Sequence, residues 1–187
     1  MSFGNIVLLM IVAVGAYLVV IYNKFVSLRA GMDASWSDID VQLKRRYDLI
    51  PALVDTVRGY KDYEADTLEK VIQARQQGLS AGTMDEKAAA ANVLSGALGK
   101  LFALAEAYPD LKANTNFLNL QDELSSIENA IQNARRYYNA IVRDYNAKVE
   151  SFPDLFVAQK FNFTARDYFE LDESEAEAAK KMPKIDL

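Results

Sequence analysis

Met1 to Asn23 contain no charged side chain, and within them the apolar run Ile6 to Ile21 leads without a turn signal into a long helical pattern. A hydrocarbon layer about 30 Å thick is crossed by roughly 20 helical residues rising about 1.5 Å each, the length of Phe3 to Tyr22. The segment therefore reads as a membrane anchor, with Ile6, Leu9 and Val12 in its apolar body, Tyr17 and Tyr22 towards one interface and Lys24 just beyond it. A cleaved signal peptide competes with this reading, since Val14 and Ala16 make a weak small-residue cleavage site. Against it, the leading residues carry no Lys or Arg, and the apolar run continues through Leu18, Val19, Val20 and Ile21. Lys24, Arg29 and the cluster Lys44-Arg45-Arg46 follow the anchor and nothing basic precedes it. The positive-inside rule then places the N-terminus outside and the body in the cytoplasm.

About 160 residues remain after the anchor, enough for one domain with a real core. They are rich in Ala, Leu and charged residues and poor in Gly and Pro, which favours an all-α domain. The expected organisation is an anchor over 1–25, a helical bundle over 26–165 and an acidic tail over 166–187. The chain has no Cys and no His. Disulfides, thiolate nucleophiles, zinc sites built on Cys or His and histidine acid-base catalysis are therefore excluded. A net charge of -5 argues against a general nucleic-acid binder.

Three helical stretches follow from spacing. Leu28, Met32, Trp36, Ile39, Leu43, Tyr47, Ile50, Val54 and Val57 recur three or four residues apart, and the phase is kept across Pro51. Pro51 thus kinks one long helix or opens a closely following one. Gly59 marks a break. Leu68, Val71, Ile72 and Leu79 mark a shorter helix before Gly78 to Gly82 turn the chain. The next helix begins near Thr83, with Glu86 at capping-box spacing, and carries a seam through Leu94, Leu98, Leu101 and Ala105 before Pro109 ends it. Tyr108 to Asn119 reads as a polar connection with Phe117 as a staple. The last long helix alternates steps of four and three through Leu120, Leu124, Ile127, Ile131, Ala134, Tyr138, Ile141 and Tyr145, the period of near-parallel, coiled-coil-like packing. Pro153 closes it. Asp154 to Phe161 then folds back, because Leu155, Phe156 and Phe161 need cover. From Arg166 onward four basic residues meet seven acidic ones, so the end reads as solvated.

Tyr138-Asn139-Ala140-Ile141-Val142 recurs seven residues later as Tyr145-Asn146-Ala147-Lys148-Val149, and Tyr22-Asn23-Lys24-Phe25-Val26 shares the frame. Both later tyrosines fall on one seam, each beside an Asn. Such a seam is either a register device, in which rings fill the bundle while polar groups fix alignment, or a polar stripe that docks a partner helix.

The run Ile39-Asp40-Val41-Gln42-Leu43-Lys44-Arg45-Arg46-Tyr47-Asp48-Leu49-Ile50-Pro51, with Leu28-Arg29 and Trp36 before it and Gly59-Tyr60, Glu64, Leu68 and Ala74-Arg75 after it, resembles the LemA family. A second block is similar to that family as well: Tyr108-Pro109-Asp110-Leu111-Lys112-Ala113-Asn114, Phe117-Leu118, Leu120-Gln121, Glu128-Asn129, Ala134-Arg135-Arg136 and the Tyr-Asn repeats up to Phe152-Pro153. The resemblance extends from about Tyr22 to Phe169. Ala52 stands where the family usually has Asn, and Lys160 where Gly is common. The resemblance implies a bacterial single-pass inner-membrane protein with a short outer N-terminus, a cytoplasmic antiparallel bundle of about four long helices and no established biochemical activity. A magnetosome-associated branch of that family takes part in organelle formation.

The densest polar constellation is Asp40, Lys44, Arg45, Arg46 and Asp48. Asp40 and Lys44 have the favourable i,i+4 order of a salt-bridged solvent face. Lys44 and Arg45 fall off the apolar stripe, whereas Arg46 borders it, where it meets an acid on another helix or a partner's carboxylate. Together with Asn139 and Asn146 these are the candidate interaction or structural polar residues. No catalytic, cofactor or metal residues are assigned: Glu123 and Glu128 lack the His of di-iron bundles, no loop has calcium-binding spacing, and no Gly-rich phosphate cradle exists. Expected partners are membrane lipids and further copies of the chain, or a membrane or envelope protein, with no nucleic acid. Two non-enzymatic readings remain, a membrane-organising scaffold and a monomeric adaptor. Apolar residues on two faces, with Phe102, Tyr63 and Phe156 as candidates, favour the scaffold.

Overall fold

The computed structural model describes residues 3–59 and 65–169. Among them the fold is all-α. Its helices are α1 (Phe3–Arg58), α2 (Ala65–Ser80), α3 (Met84–Ala105), α4 (Pro109–Lys112), α5 (Thr115–Glu150) and α6 (Asp154–Phe161). The chain groups into two compact units: residues 1–38 with 134–168, and residues 39–133 with 169–187.

In the first unit, α1 begins as an apolar rod. Phe3 to Val20 lie exposed except for half-buried Val7, and burial starts at Ile21. Ile21 and Phe25 sit inside the anchor expected over 1–25, yet both are buried, so packing starts before that boundary. The end of α5 runs antiparallel to this part of α1. Trp36 meets Tyr138, a Cβ on Gly31 would touch Ile141, and Phe25 meets Tyr145 edge-on at 5.7 Å. Tyr138, Val142 and Tyr145 are buried, and Ile141 is half-buried. After α5 the chain turns into α6, which buries Val157 and Ala158. The cover expected for Leu155, Phe156 and Phe161 is only partial: Leu155 is half-buried, Phe161 is exposed with one side against the Tyr22 ring, and Phe156 is exposed, because the buried side of this short helix belongs to Val157 and Ala158. The chain then returns along α5, where Asp167 accepts a hydrogen bond from Tyr138 Oη at 3.3 Å.

The second unit is built on the apolar stripe foreseen from Ile39 to Val57. Ile39, Leu43, Tyr47, Ile50, Val54 and Val57 are all buried, joined by Leu53. Pro51 lies within α1 and does not end it. A proline inside a helix removes the N–H that would bond the carbonyl four residues earlier, here that of Tyr47. Arg75 of α2 supplies the missing donor, its Nε lying 2.8 Å from the Tyr47 carbonyl oxygen. One turn further along α2, Gly78 makes room for the Tyr47 ring: a Cβ there would lie 2.4 Å from Cζ. Gly78 is therefore a buried docking residue inside α2, not the start of the turn expected from Gly78 to Gly82, and Ile72 and Leu79 are exposed.

The capping box at α3 forms as the spacing predicted. Thr83 Oγ1 accepts from the Glu86 amide, and the Glu86 carboxylate accepts from the Thr83 and Gly82 amides at 3.0 and 2.8 Å. Those backbone donors hold the Glu86 carboxyl below its ordinary pKa. The seam Leu94, Leu98, Leu101 and Ala105 is buried. Pro109 does not end α3, which stops at Ala105; it opens α4, where a proline's missing N–H is harmless. The connection expected over 108–119 therefore contains α4 and the start of α5. Asn114 accepts from the Phe117 amide at that start, and Phe117 is buried with its ring 6.1 Å from Phe102. Leu124, Ile127 and Ile131 continue the α5 seam in the core.

Tyr63 and residues 170–187 of the expected acidic tail lie outside the described residues. The beginning of that tail is packed: Phe169 is buried, and Arg166 is bonded to Asn146 through its backbone.

Candidate functional site

The polar constellation read from sequence separates into residues that face water and one that does not. Lys44, Arg45 and Asp48 are exposed, while Arg46 is buried in the second unit. Asp40 pairs with Lys87 of α3 across the unit. Arg46 Nη2 lies 2.8 Å from Glu128 Oε2 on α5 and donates to Ser95 Oγ on α3 at 3.0 Å. The Ser95 hydroxyl in turn lies 3.1 Å from the Ala91 carbonyl oxygen and 3.4 Å from Glu128. One guanidinium thus ties three helices at a single level.

Burial pushes Arg46 below its ordinary pKa, and the nearby Glu128 charge opposes that shift. The adjacent Tyr47 phenol is pushed up by burial, against the lowering field of Arg46. The Arg46 side chain retains 4% exposure and Glu128 29%, so the pair is open to water only on the carboxylate side. Arg46 Nε is buried and bonded to nothing among the described residues. The arrangement has the chemistry of an internal tie: its cation is held on one nitrogen by a carboxylate and a hydroxyl, and its side chain keeps almost no contact with water.

Asn139 and Asn146 fall in the first unit. Asn146 forms a two-point clamp on the chain's own backbone: its Nδ2 donates to the Arg166 carbonyl and its Oδ1 accepts from the Arg166 amide, both at 2.9 Å. With Tyr138 bonded to Asp167, the Tyr-Asn repeat holds the returning segment 163–167 against α5. Burial pushes the Tyr145 phenol up despite Arg166 and Arg29 nearby. Asn139 is half-buried.

Sequence reasoning placed Arg46 at the edge of the core without finding Glu128 and Ser95 as its partners. It also missed Arg75. The usable signal for Arg75 was Pro51 itself, since an interior proline always leaves a carbonyl in want of a donor. A solvent-open groove in the second unit, lined by Thr67, Lys70, Gln73, Asn92, Gly96 and Lys100, presents lysines and amides but no carboxylate.

Fold and site together define a class: an all-helical bundle protein with an exposed apolar N-terminal helix and an internal ion pair. α3 is also long and apolar enough to cross a membrane by length and composition, but its apolar seam is used inside the second unit. The LemA family model matches residues 35–186. Protein LemA of Metamycoplasma hominis is 34% identical over 137 residues, covering 71% of this chain and 61% of that protein. Magnetosome protein MamQ 2 of Paramagnetospirillum magneticum is 25% identical, covering 87% of this chain and 69% of that protein. Magnetosome protein MamQ of Magnetospirillum gryphiswaldense is 23% identical, covering 79% and 64%. The chain belongs to the LemA family. It spans about three-fifths of the length of the mycoplasma relative. The N-terminal part of α1 is long and apolar enough to cross a membrane, and none of these relatives bears an enzyme's name.

Proposed function

We propose that this is a non-enzymatic, single-pass protein of the bacterial inner membrane whose copies associate laterally into an assembly that organises the membrane. The observation carrying this reading is α1: its exposed apolar residues Phe3 to Val20 continue as one helix into residues packed from Ile21 onward. Such a helix holds its folded part against the bilayer, and confinement to a surface raises the effective concentration of copies, so weak lateral contacts suffice. Exposed large apolar side chains occur in both units, Tyr137 in the first and Val41, Val93 and Leu118 in the second. Uncovered apolar side chains in each unit favour assembly over an adaptor with a single confined patch.

The particle mass of the full-length protein in mild detergent tests this. A uniform multiple of the 20.9 kDa chain is expected, and a monomer would replace the scaffold by an adaptor.

Lys24 and Arg29 after the anchor, with no basic side chain in the 23 residues before them, support a cytoplasmic bundle. The native chain has no Cys, so a Gly82→Cys variant reports topology alone. It is expected to resist a membrane-impermeant thiol reagent in intact cells and to label after lysis. Labelling before lysis would reverse the orientation.

A further inference from the structure

The first unit gathers aromatic rings at the end where the apolar part of α1 gives way to packed residues. Tyr22 lies 4.8 Å from Phe161 and 5.8 Å from Phe163, and Phe25 stacks on Phe163 at 4.8 Å. These contacts fix the C-terminal end of α6 beside the last residues of the apolar rod. The other end of α6 is fixed by α5. Because α5 runs antiparallel to α1 and Tyr145 meets Phe25, the five steps from Tyr145 to Glu150 advance about 7.5 Å towards the apolar rod. The turn at Phe152 therefore reaches the level of α1 at which burial begins.

At that level the outer side of α6 carries an apolar residue left uncovered among the described residues. Val157 and Ala158 face inward, whereas Phe156, 61% exposed, faces outward together with Lys160. Phe152 is 80% exposed, and its ring meets that of Phe156 edge-on at 5.8 Å. Two touching phenylalanines, one in the turn after α5 and one on α6, stand uncovered among the described residues and form an apolar surface of the kind that marks an interaction site. The charges of these segments suit lipid headgroups: Lys24 on α1 and Lys160 on α6 are exposed, and Lys148 neutralises Asp154, while Glu150 is an exposed carboxylate at the end of α5.

We propose that α6 is an interfacial element: Phe152 and Phe156 insert between the headgroups and upper acyl chains of the bilayer that α1 crosses, and Lys160 extends to the phosphates. The inference rests on the membrane-anchor reading above. Continuity with the apolar rod selects this occupant, since any bilayer crossed by Phe3 to Val20 has its surface where α6 lies. Aromatic rings with flanking lysines are favoured at that depth. The element acts as a second foot, setting the tilt of the packed helices on the membrane as well as their distance from it.

The test uses single-cysteine variants of the full chain bearing a nitroxide, in nanodiscs of phosphatidylethanolamine and phosphatidylglycerol, with spin relaxation by oxygen compared with that by a water-soluble nickel chelate. Leu9→Cys is the reference for the bilayer interior and Gly82→Cys that for water. Phe152→Cys and Phe156→Cys are expected to show an oxygen-to-nickel ratio several-fold above Gly82→Cys and below Leu9→Cys. Both phenylalanines are exposed, so neither change opens the core, and Lys160→Cys gives a further reading from the same side of α6. Ratios equal to that of Gly82→Cys, with Leu9→Cys deep, would overturn the interfacial inference and leave the anchor standing. Labels shielded from both reagents would mean that protein covers the patch, which also overturns it. A water-like Leu9→Cys would overturn the anchor reading and this inference together.

Discussion

Glu128→Ala is expected to cost the protein about 3 kcal/mol of unfolding free energy, the lower end of the range for breaking a buried ion pair by removing one partner. The guanidinium of Arg46 keeps almost no contact with water, so without Glu128 it stays buried as an uncompensated charge with only Ser95 Oγ beside it. The reciprocal change, Arg46→Met, leaves the carboxylate on the side that water reaches and is expected to cost less. Replacing both, as Arg46→Met with Glu128→Leu, is expected to recover most of the loss, because a packed apolar pair avoids the desolvation that the ion pair must offset. Denaturant titration followed by helical circular dichroism checks all three. Equal losses in the two single variants, with no recovery in the double, would mean that the pair itself adds net stability to the fold. A double variant that is stable but no longer gives the particle mass of the unchanged chain would assign the pair a role in assembly.

The second large effect is expected in the first unit. Phe25→Ala removes a fully buried ring that stacks on Phe163 and meets Tyr145 edge-on, a change of the kind that costs about 3–5 kcal/mol. The same ring makes the point of truncation decisive. A water-soluble chain beginning at Ser27 lacks both Ile21 and Phe25 and is expected to lose protection in segment 163–167. One beginning at Leu18 keeps both. Hydrogen exchange on the two truncated chains, read at the amides of 163–167, separates them; equal protection would show that Phe25 contributes little to this unit.

Much of the helical plan was legible because it rests on periodicity. The stripe from Ile39 to Val57, the seam through Leu94 and Leu98, the Thr83 capping box and the α5 period are all set by spacing along one chain, and spacing is what a sequence displays directly. What it hides are decisions made across helices. Gly78 looks like a turn residue until the Tyr47 ring lies against it, and Pro109 looks like a terminator when it opens a helix of its own. Arg46 shows its place on the stripe, but its partner is 82 positions away, and nothing in either local pattern names the other. The Tyr-Asn repeat was visible as a motif. Its occupant, an extended segment twenty residues downstream, was not, because the amide of Asn146 binds backbone and backbone has no sequence signature.

Arg75 and Pro51 bear on how the chain reaches this fold in time. The carbonyl that Pro51 leaves open is closed by a side chain 28 positions downstream of Tyr47, a short loop by the standards of tertiary structure. Contacts between near neighbours in sequence form fastest. During synthesis the second half of α1 stays incompletely bonded until Arg75 and Gly78 follow it out of the ribosome. The α1–α2 pair is then the earliest unit able to satisfy its own backbone. It is able to assemble before the carboxylate that will neutralise Arg46 has been made.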